Sequence, residues 1–260
     1  MRLLFWRARR IPVLELHGLI APRAGSINIA AFGPLIDRAL AAAGKGGVLL
    51  LDIESPGGSP VQSDLIANRI RRRAQEKQVR VIAVIGEVGA SGGYWLACAA
   101  DEIVANPMSV VGSIGVIGGG FGFDRALDRL GVQRRLYTAG ENKARLDPFS
   151  PERAQDVAFV HALLEALHGL FKAWVRDRRG AKLVDEAAVF DGGWMLAGRA
   201  LTLGLVDGLG DLDSVARAIG GEKVRTVTFK PRRRGLLGRL PRMLAEAVFD
   251  VVEERAGPRL

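Results

Sequence analysis

The sequence VIAVIGEVGASGGYW, at residues 81–95, decides the fold that we predict. Its apolar run VIAVI is typical of a buried strand, and the small residues that follow form a turn presenting Ser91 just before an apolar helical segment. The first backbone N–H groups of such a helix have no partner within the helix, so they can receive negative charge. Ser91 is therefore a candidate nucleophile whose own N–H would help to hold an oxyanion. The alternative is an ordinary serine N-cap.

The pattern of strand, turn and helix repeats along the chain, and its strands are apolar throughout. It predicts an α/β fold with a mostly parallel sheet over residues 11–220, followed by a basic, amphipathic appendage over residues 221–260. Strands are expected at 11–20, 47–53, 79–86, 102–105, 110–117 and 132–138. Helices are expected at 26–43, 61–75, 121–130, 151–179 and 212–219, with two short helical pieces in 184–205.

The charge of the chain lies at its ends. The formal net charge is +9, residues 1–10 hold four arginines and no acid, and residues 225–242 hold seven lysines and arginines and no acid. No motif typical of nucleic-acid binding accompanies these arginines, so we do not expect nucleic acid as a partner. Apolar residues at helical spacing over 236–251 indicate an amphipathic helix. Such a helix would bind an anionic membrane surface, form a contact between copies in an oligomer, or dock on the body of the protein.

Two further features of the composition exclude classes of protein. The single Cys98 excludes an internal disulfide and any metal site built from several cysteines. The longest uncharged stretch, residues 103–123, is rich in glycine and predicts strand and loop rather than a transmembrane helix. We therefore expect no transmembrane anchor.

A second glycine turn, in LLLDIESPGG at residues 49–58, follows another apolar strand. If this strand is the neighbour of the strand before Ser91, the backbone of Gly57 and Gly58 lies beside the serine. Glycine lets the backbone approach a substrate closely and direct an N–H at it. The pair predicts an oxyanion hole with two donors, one from Gly58 and one from the helix start around Ser91 and Gly92.

Ser91 needs a base to remove its proton. A G-x-S-x-G hydrolase would use a downstream histidine, but His161 and His168 both fall on the long predicted helix, a poor fit to a catalytic loop. Lysine is the other route, provided that it loses solvent, because its usual pKa of about 10.4 keeps it protonated at neutral pH. Lys143, in the loop after the strand expected at 132–138, is the candidate, and an ordinary loop lysine is the alternative.

Taken together, four segments resemble the signal peptide peptidase A family of serine proteases, whose members share the fold of ClpP and the crotonases. The segments are SPGG at 55–58, GASGGYWLACAADEIVANPMSVVGSIGV at 89–116, GENKARLDPFSPE at 140–152 and GGWMLAGRALTLGLVDGLGD at 192–211. The resemblance implies a Ser-Lys dyad of Ser91 and Lys143, with Ser113 orienting the lysine amine and Gly58 in the oxyanion hole. It implies peptide hydrolysis without a metal or cofactor.

The resemblance also implies an oligomer of this chain that cleaves extended peptides, such as signal-peptide remnants or misfolded protein. Many members carry an N-terminal transmembrane anchor, whereas we expect a short form that lacks one and is located in the cytoplasm. Membrane contact through the basic ends stays open. Two other functions stay open: a crotonase-like acyl-CoA enzyme, which would not need Ser91, and a non-catalytic scaffold of the same fold.

Overall fold

The computed structural model describes residues 10–231, in which strands and helices alternate along most of the chain. The strands are β1 Arg10–His17, β2 Val48–Ser55, β3 Arg80–Ala90, β4 Glu102–Ala105, β5 Val110–Gly112, β6 Trp194–Leu196, β7 Gly208–Leu209 and β8 Arg225–Phe229. The helices are α1 Ile29–Ala43, α2 Pro60–Lys77, α3 Gly92–Ala97, α4 Asp124–Arg129, α5 Ala154–Arg179, α6 Glu186–Val189, α7 Ala197–Thr202 and α8 Leu212–Gly220, with a 3-10 helix at Gly180–Lys182.

The strands form one eight-stranded sheet in the order β6-β5-β3-β2-β1-β8, with β4 pairing to β3 and to β7. Every pairing is parallel except that of β5 with β6. The long strand β3 pairs with β4 through its first half and with β5 through its second half. The predicted α/β fold with a mostly parallel sheet is confirmed, and the carboxyl ends of β2, β3 and β5 meet at one edge.

Helices cover both faces of the sheet, as parallel sheets require. The larger core lies under α1, α2, α3 and α5 and contains the buried residues Leu16, Leu51, Ile53, Ala83 and Ile85 of the central strands. The smaller core lies on the other face, where Val13, Leu50 and Ile82 pack with Ala216 of α8. The VIAVI run of β3 is apolar because Val81, Ala83 and Ile85 enter the larger core while Ile82 enters the smaller one on the other face.

Polar caps set the ends of the first two helices. Asn28 accepts a hydrogen bond from the N–H of Ala31 at the start of α1, and Ser59 caps α2 before Pro60 in its first turn. At the other end of α1, Gly44 takes a positive φ of 71°, a conformation that favours glycine. Gln78 ends α2 in the left-handed region.

An ion pair of low solvent exposure joins the end of α5 to Asp207, the residue before β7. The guanidinium of Arg179, 4% exposed, donates to both oxygens of Asp207 at 2.8 and 3.0 Å. Asp207 also accepts from the Lys182 amine at 2.7 Å and from the N–H of Ile103 at 2.8 Å. These four donors hold the pKa of Asp207 down at about 2, although partial burial opposes the shift.

Several predicted elements differ from those observed. The strand predicted to end at residue 86 continues to Ala90, the pieces in 184–205 include the strand β6, and the strand predicted at 132–138 is wrong because that stretch is irregular. The sheet also continues past residue 220, since β8 pairs with β1. The division into a body over 11–220 and an appendage over 221–260 stays a prediction. The amphipathic helix predicted over 236–251 lies outside the described residues. Within residues 10–231, no helix is both long and apolar enough to span a membrane.

Candidate active site

Ser91 stands at the sharp turn between β3 and α3. Its backbone angles are φ 52° and ψ −123°, a region that residues other than glycine rarely adopt. It occupies the N-cap position of α3, but its side chain makes no capping hydrogen bond. The hydroxyl is therefore not committed to the helix, which argues against the ordinary N-cap interpretation. Strain of this kind is common where a turn presents a reactive side chain.

The glycines beside Ser91 allow the turn to pack closely against its neighbours. A Cβ atom added to Gly92 would lie 2.5 Å from Ser63 Oγ, and one added to Gly93 would lie 2.3 Å from the carbonyl oxygen of Ser55. Ser55 and Ser63 are both fully buried. The GASGG pattern is thus explained by the close approach of α3 to the end of β2 and the start of α2.

The glycine turn after β2 lies directly beside Ser91, because β2 and β3 are paired neighbours in which Ser55 faces Gly89. A Cβ atom added to Gly57, which has a φ of 102°, would lie 2.7 Å from Ser91 Cβ and 3.0 Å from Ser91 Oγ. Gly58 follows at the rim of the same space with a φ of 138°. Both positions require glycine, as the oxyanion-hole prediction assumed.

The backbone N–H groups that are available near Ser91 are not all those that we predicted. The N–H of Ser91 donates to the carbonyl oxygen of Gly112 at 2.8 Å, so the expectation that it helps to hold an oxyanion is wrong. The N–H groups of Gly58 and Gly92 have no acceptor within residues 10–231. These two donors, from the β2 turn and the start of α3, are available to an oxygen placed near Ser91.

Ser113 lies beside Ser91 because the two serines follow paired strand ends. Ala90 of β3 is in register with Gly112 of β5, and Ser91 and Ser113 are the next residues. Ser113 also has a positive φ, of 52°, and its N–H donates to the carbonyl oxygen of Gly193 at 2.6 Å. The turn that carries Ser113 is thus held between β3 and the residue that precedes β6.

A cavity of about 610 Å³ opens at this edge of the sheet. Ser91, Ser113, Gly58 and Gly92 all line it, so four of the five predicted site residues are brought together. Its apolar wall comes from Trp95 of α3 and from α5, including Phe171. The rings of Trp95 and Phe171 contact each other with centroids 5.0 Å apart. A space of this size accommodates a few residues of an extended peptide.

Lys143, the fifth predicted residue, does not line the cavity. It is exposed, in a series of turns where its N–H donates to the carbonyl oxygen of Gly140 at 3.2 Å. We call residues 117–149 the exposed segment, because most of its side chains are open to solvent. Its large apolar side chains are unusually exposed, among them Ile117 at 98% and Tyr137 at 88%. The single chain therefore does not bring Lys143 to Ser91.

Two titratable residues of the cavity were missed as site residues. The ring of His168, which the sequence places near the apolar stripe of the long helix, lies on the cavity with Nε2 2.9 Å from the carbonyl oxygen of Ile114. Among the described residues that line the cavity, Asp191 supplies the one carboxylate, and none is a lysine or an arginine. Helical spacing from Leu164 and Phe171 could have placed His168 on the inward face, but nothing in the sequence locates Asp191.

Cys98 is not a competing nucleophile. It lies fully buried in the core behind α3, and burial raises the pKa of its thiol to about 12. Burial also raises the pKa of the neighbouring Tyr94, whose hydroxyl donates to the carbonyl oxygen of Leu205 at 2.7 Å. Since the thiolate is the reactive form, a thiol with so high a pKa is inert at neutral pH.

Comparison with known proteins identifies similar sequences. The sequence model of the family described as "Peptidase family S49" matches residues 73–224, more than half of the chain. The protein named "Probable protease SohB" of Buchnera aphidicola (subsp. Acyrthosiphon pisum) is 33% identical over 180 residues, covering 69% of this chain and 53% of that protein. A protein of the same name from Haemophilus influenzae is 29% identical, covering 78% of this chain and 57% of its own length.

A protein of Brucella abortus named "Na(+)/H(+) antiporter NhaA" is 45% identical over 233 residues, covering 88% of this chain. The match takes up 31% of the Brucella protein, so most of that protein lies outside it. The chain thus spans about a third to about half of the length of these relatives. Among solved structures, a mutant of the 1510-N membrane-bound stomatin-specific protease is similar in fold, with a TM-score of 0.50, 12% identity, and coverage of 87% of this chain and 100% of that one.

Proposed function

Because the chain belongs to peptidase family S49, we propose that it is a serine endopeptidase in which Ser91 is the nucleophile and Lys143 the general base. The observation that carries the proposal is the turn at Ser91, where the hydroxyl and two nearby N–H groups have no partner among residues 10–231 and the backbone is strained. A scaffold has no physical need for that combination. An acyl-CoA enzyme would need the two donors but not the serine.

The reaction proceeds by acyl transfer. Ser91 Oγ attacks the carbonyl carbon of a peptide bond, and the N–H groups of Gly58 and Gly92 stabilise the negative oxygen that forms. Lys143 takes the hydroxyl proton and returns it to the leaving amine, and Ser113 orients the lysine amine. Water then attacks the acyl-enzyme with Lys143 again as base, releasing the second product. No step in this sequence uses a metal or a cofactor.

Lys143 must change its surroundings before it can act. An exposed lysine is protonated at neutral pH, and a lysine base has to be neutral, which requires removal from water. The exposed segment that carries Lys143 also carries apolar side chains that are costly to leave in water, including Phe121, 81% exposed, and Leu130, 74% exposed. We propose that assembly of several copies covers this segment and places Lys143 beside a serine.

The substrate we propose is an extended peptide or unfolded protein, with apolar side chains entering the cavity beside Ser91. Trp95 and Phe171 give that cavity an aromatic wall, which suits apolar groups.

We also propose that the basic ends hold the protein at an anionic membrane surface, a contact that cosedimentation with anionic but not neutral vesicles would report. Equal sedimentation with both kinds of vesicle, or with neither, would contradict this contact.

The first experiment compares the wild type with Ser91→Ala and Lys143→Ala. Each protein is incubated with unfolded casein and with apolar peptides, and the fragments are identified by mass spectrometry. Circular dichroism checks that each variant is folded. We expect the wild type to cleave and both variants to be inactive, because one lacks the nucleophile and the other the base.

Other outcomes would refute the proposal or favour one of the alternative functions. Cleavage by Ser91→Ala at the wild-type rate would refute the proposal, and activity of that variant on acyl-CoA thioesters would favour the crotonase-like alternative. An inactive wild type would favour the scaffold. If both variants are inactive alone, mixing them tests where the dyad forms. Recovery of cleavage in mixed assemblies means that Lys143 of one copy serves Ser91 of another, whereas continued inactivity means that each dyad forms within one chain.

A further inference from the structure

His168 connects the helix α5 to the turn that carries Ser113. Its Nε2 lies 2.9 Å from the carbonyl oxygen of Ile114, the residue after Ser113. A carbonyl oxygen can only accept a hydrogen bond, so Nε2 carries the hydrogen and donates it. The ring is half-buried and lines the same cavity as Ser91 and Ser113.

Three successive residues of this turn each make a hydrogen bond to another segment of the chain. The carbonyl oxygen of Gly112 accepts from the N–H of Ser91, the N–H of Ser113 donates to the carbonyl oxygen of Gly193, and the carbonyl oxygen of Ile114 accepts from His168. The first two bonds join backbone to backbone. Within the described part of the chain, the bond from His168 is the one that a side chain supplies to this turn.

The turn needs such support because its backbone is strained. A positive φ at a residue with a side chain, such as Ser113, is strained and persists only where the surroundings hold it. After Ile114 the chain forms no helix or strand until α4 begins at Asp124, so little on that side restrains the turn. His168 is the last hydrogen-bonded anchor before the exposed segment.

We propose that His168 is a positioning residue for the hydrolytic reaction, holding the Ser113 hydroxyl in the place where it orients the lysine amine. This inference rests on the proposed function, since it assigns a role to a residue that acts through Ser113. Loss of the donor lets the turn relax, so the serine and the base are misaligned. The aromatic wall of Trp95 and Phe171 stays in place, and the effect therefore falls on kcat more than on KM.

The test compares two substitutions at His168 with a control on the same helix. His168→Leu removes the donor and keeps the bulk, whereas His168→Gln keeps an N–H donor at a similar distance from the backbone. His161→Leu is the control, because His161 is exposed and does not line the cavity. The measurements are kcat and KM for peptide hydrolysis and the free energy of unfolding in urea, with Ser91→Ala as the inactive reference.

We expect His168→Leu to lower kcat by about tenfold to a hundredfold with KM nearly unchanged. His168→Gln should recover most of the loss, and His161→Leu should match the wild type. A wild-type kcat for His168→Leu would overturn the proposal, as would a His168→Gln variant that is folded and as slow as His168→Leu. If His168→Leu fails to fold, the kcat of His168→Gln decides alone. An active Ser91→Ala would instead refute the proposed function, so the two failures are distinguishable.

Discussion

Replacement of Gly57 by alanine tests whether the β2 turn forms the site with Ser91. The added Cβ would lie 2.7 Å from both Ser91 Cβ and the N–H nitrogen of Gly92, and 3.0 Å from Ser91 Oγ. Ordinary contacts of this kind begin at 3.4 Å, so the turn and the serine would have to separate by about 0.7 Å. That movement displaces the nucleophile and a proposed oxyanion donor at the same time.

Gly18→Ala is the matched control for this substitution. Gly18 has a φ of 107°, close to the 102° of Gly57, but a Cβ atom added there would meet nothing within 4 Å. Both alanines therefore carry a similar backbone strain, about 1–3 kcal/mol of unfolding free energy. Only the alanine at position 57 collides with Ser91. The difference between the two variants isolates the collision from the strain.

The assay measures kcat/KM for peptide hydrolysis and the free energy of unfolding in urea for both variants. Misplacement of a catalytic group by about 1 Å costs on the order of a hundredfold in rate. We therefore expect Gly57→Ala to be about a hundredfold less active than the wild type and Gly18→Ala to remain within a few-fold of it. If Gly57→Ala is folded and as active as Gly18→Ala, the argument that this turn and Ser91 form one site is refuted.

Three further predictions concern charge. Asp191→Asn should lower kcat/KM roughly fivefold for peptides with lysine near the cleaved bond but not for matched peptides with glutamine, because Asp191 is the one carboxylate that the described part of the chain places on the cavity. Equal losses for both kinds of peptide would contradict this. Asp207→Asn should lose about 2–3 kcal/mol of unfolding free energy at pH 7, since the partners of Asp207 depress its pKa to about 2. The difference in unfolding free energy from the wild type should shrink as pH falls from about 4 towards 2, where the carboxylate becomes protonated. Urea melts that give the same difference at every pH would exclude the carboxylate charge as its cause. The hydrogen bond from His17 to Asp52, 3.1 Å long, raises the pKa of His17. His17→Asn should therefore have a lower unfolding free energy than the wild type below about pH 6.5, and this difference should disappear as pH rises through the raised pKa. A difference that does not change with pH in the same melts would contradict this prediction.

The central strands could be predicted because their residues are apolar throughout, a pattern that a sheet buried on both faces requires. The end of β3 could not. Gly86 and Gly89 indicate a turn by sequence, but a Cβ atom at Gly86 would lie 2.6 Å from a carboxyl oxygen of Glu54, and one at Gly89 would lie 2.8 Å from Ile85. These glycines make room for side chains and keep the strand extended up to Ala90. Composition does not distinguish this use of glycine from a turn.

The site was predictable where it depends on neighbouring strands and not where it depends on distant segments. Two apolar strands that end in glycine turns predict that Gly57 and Gly58 lie beside Ser91, and the pairing of β2 with β3 confirms it. The bond from the N–H of Ser91 to Gly112 depends on β5 taking its place beside β3, which no local pattern reveals. Lys143 lies in a segment that is exposed in a single chain, and no local pattern reveals what would surround it, so its role as the base stays a prediction.

The hydrogen bond from Ser113 to Gly193 has a consequence for the timing of synthesis. A ribosome that has added Ser91 must still add about a hundred residues before it reaches Gly193, and the chain folds as it emerges. Until then the turn beside the proposed nucleophile lacks one of its attachments, and a nascent or truncated chain carries the serine without the support that aligns it. The order of the residues along the chain thus delays completion of this turn until the chain has reached Gly193.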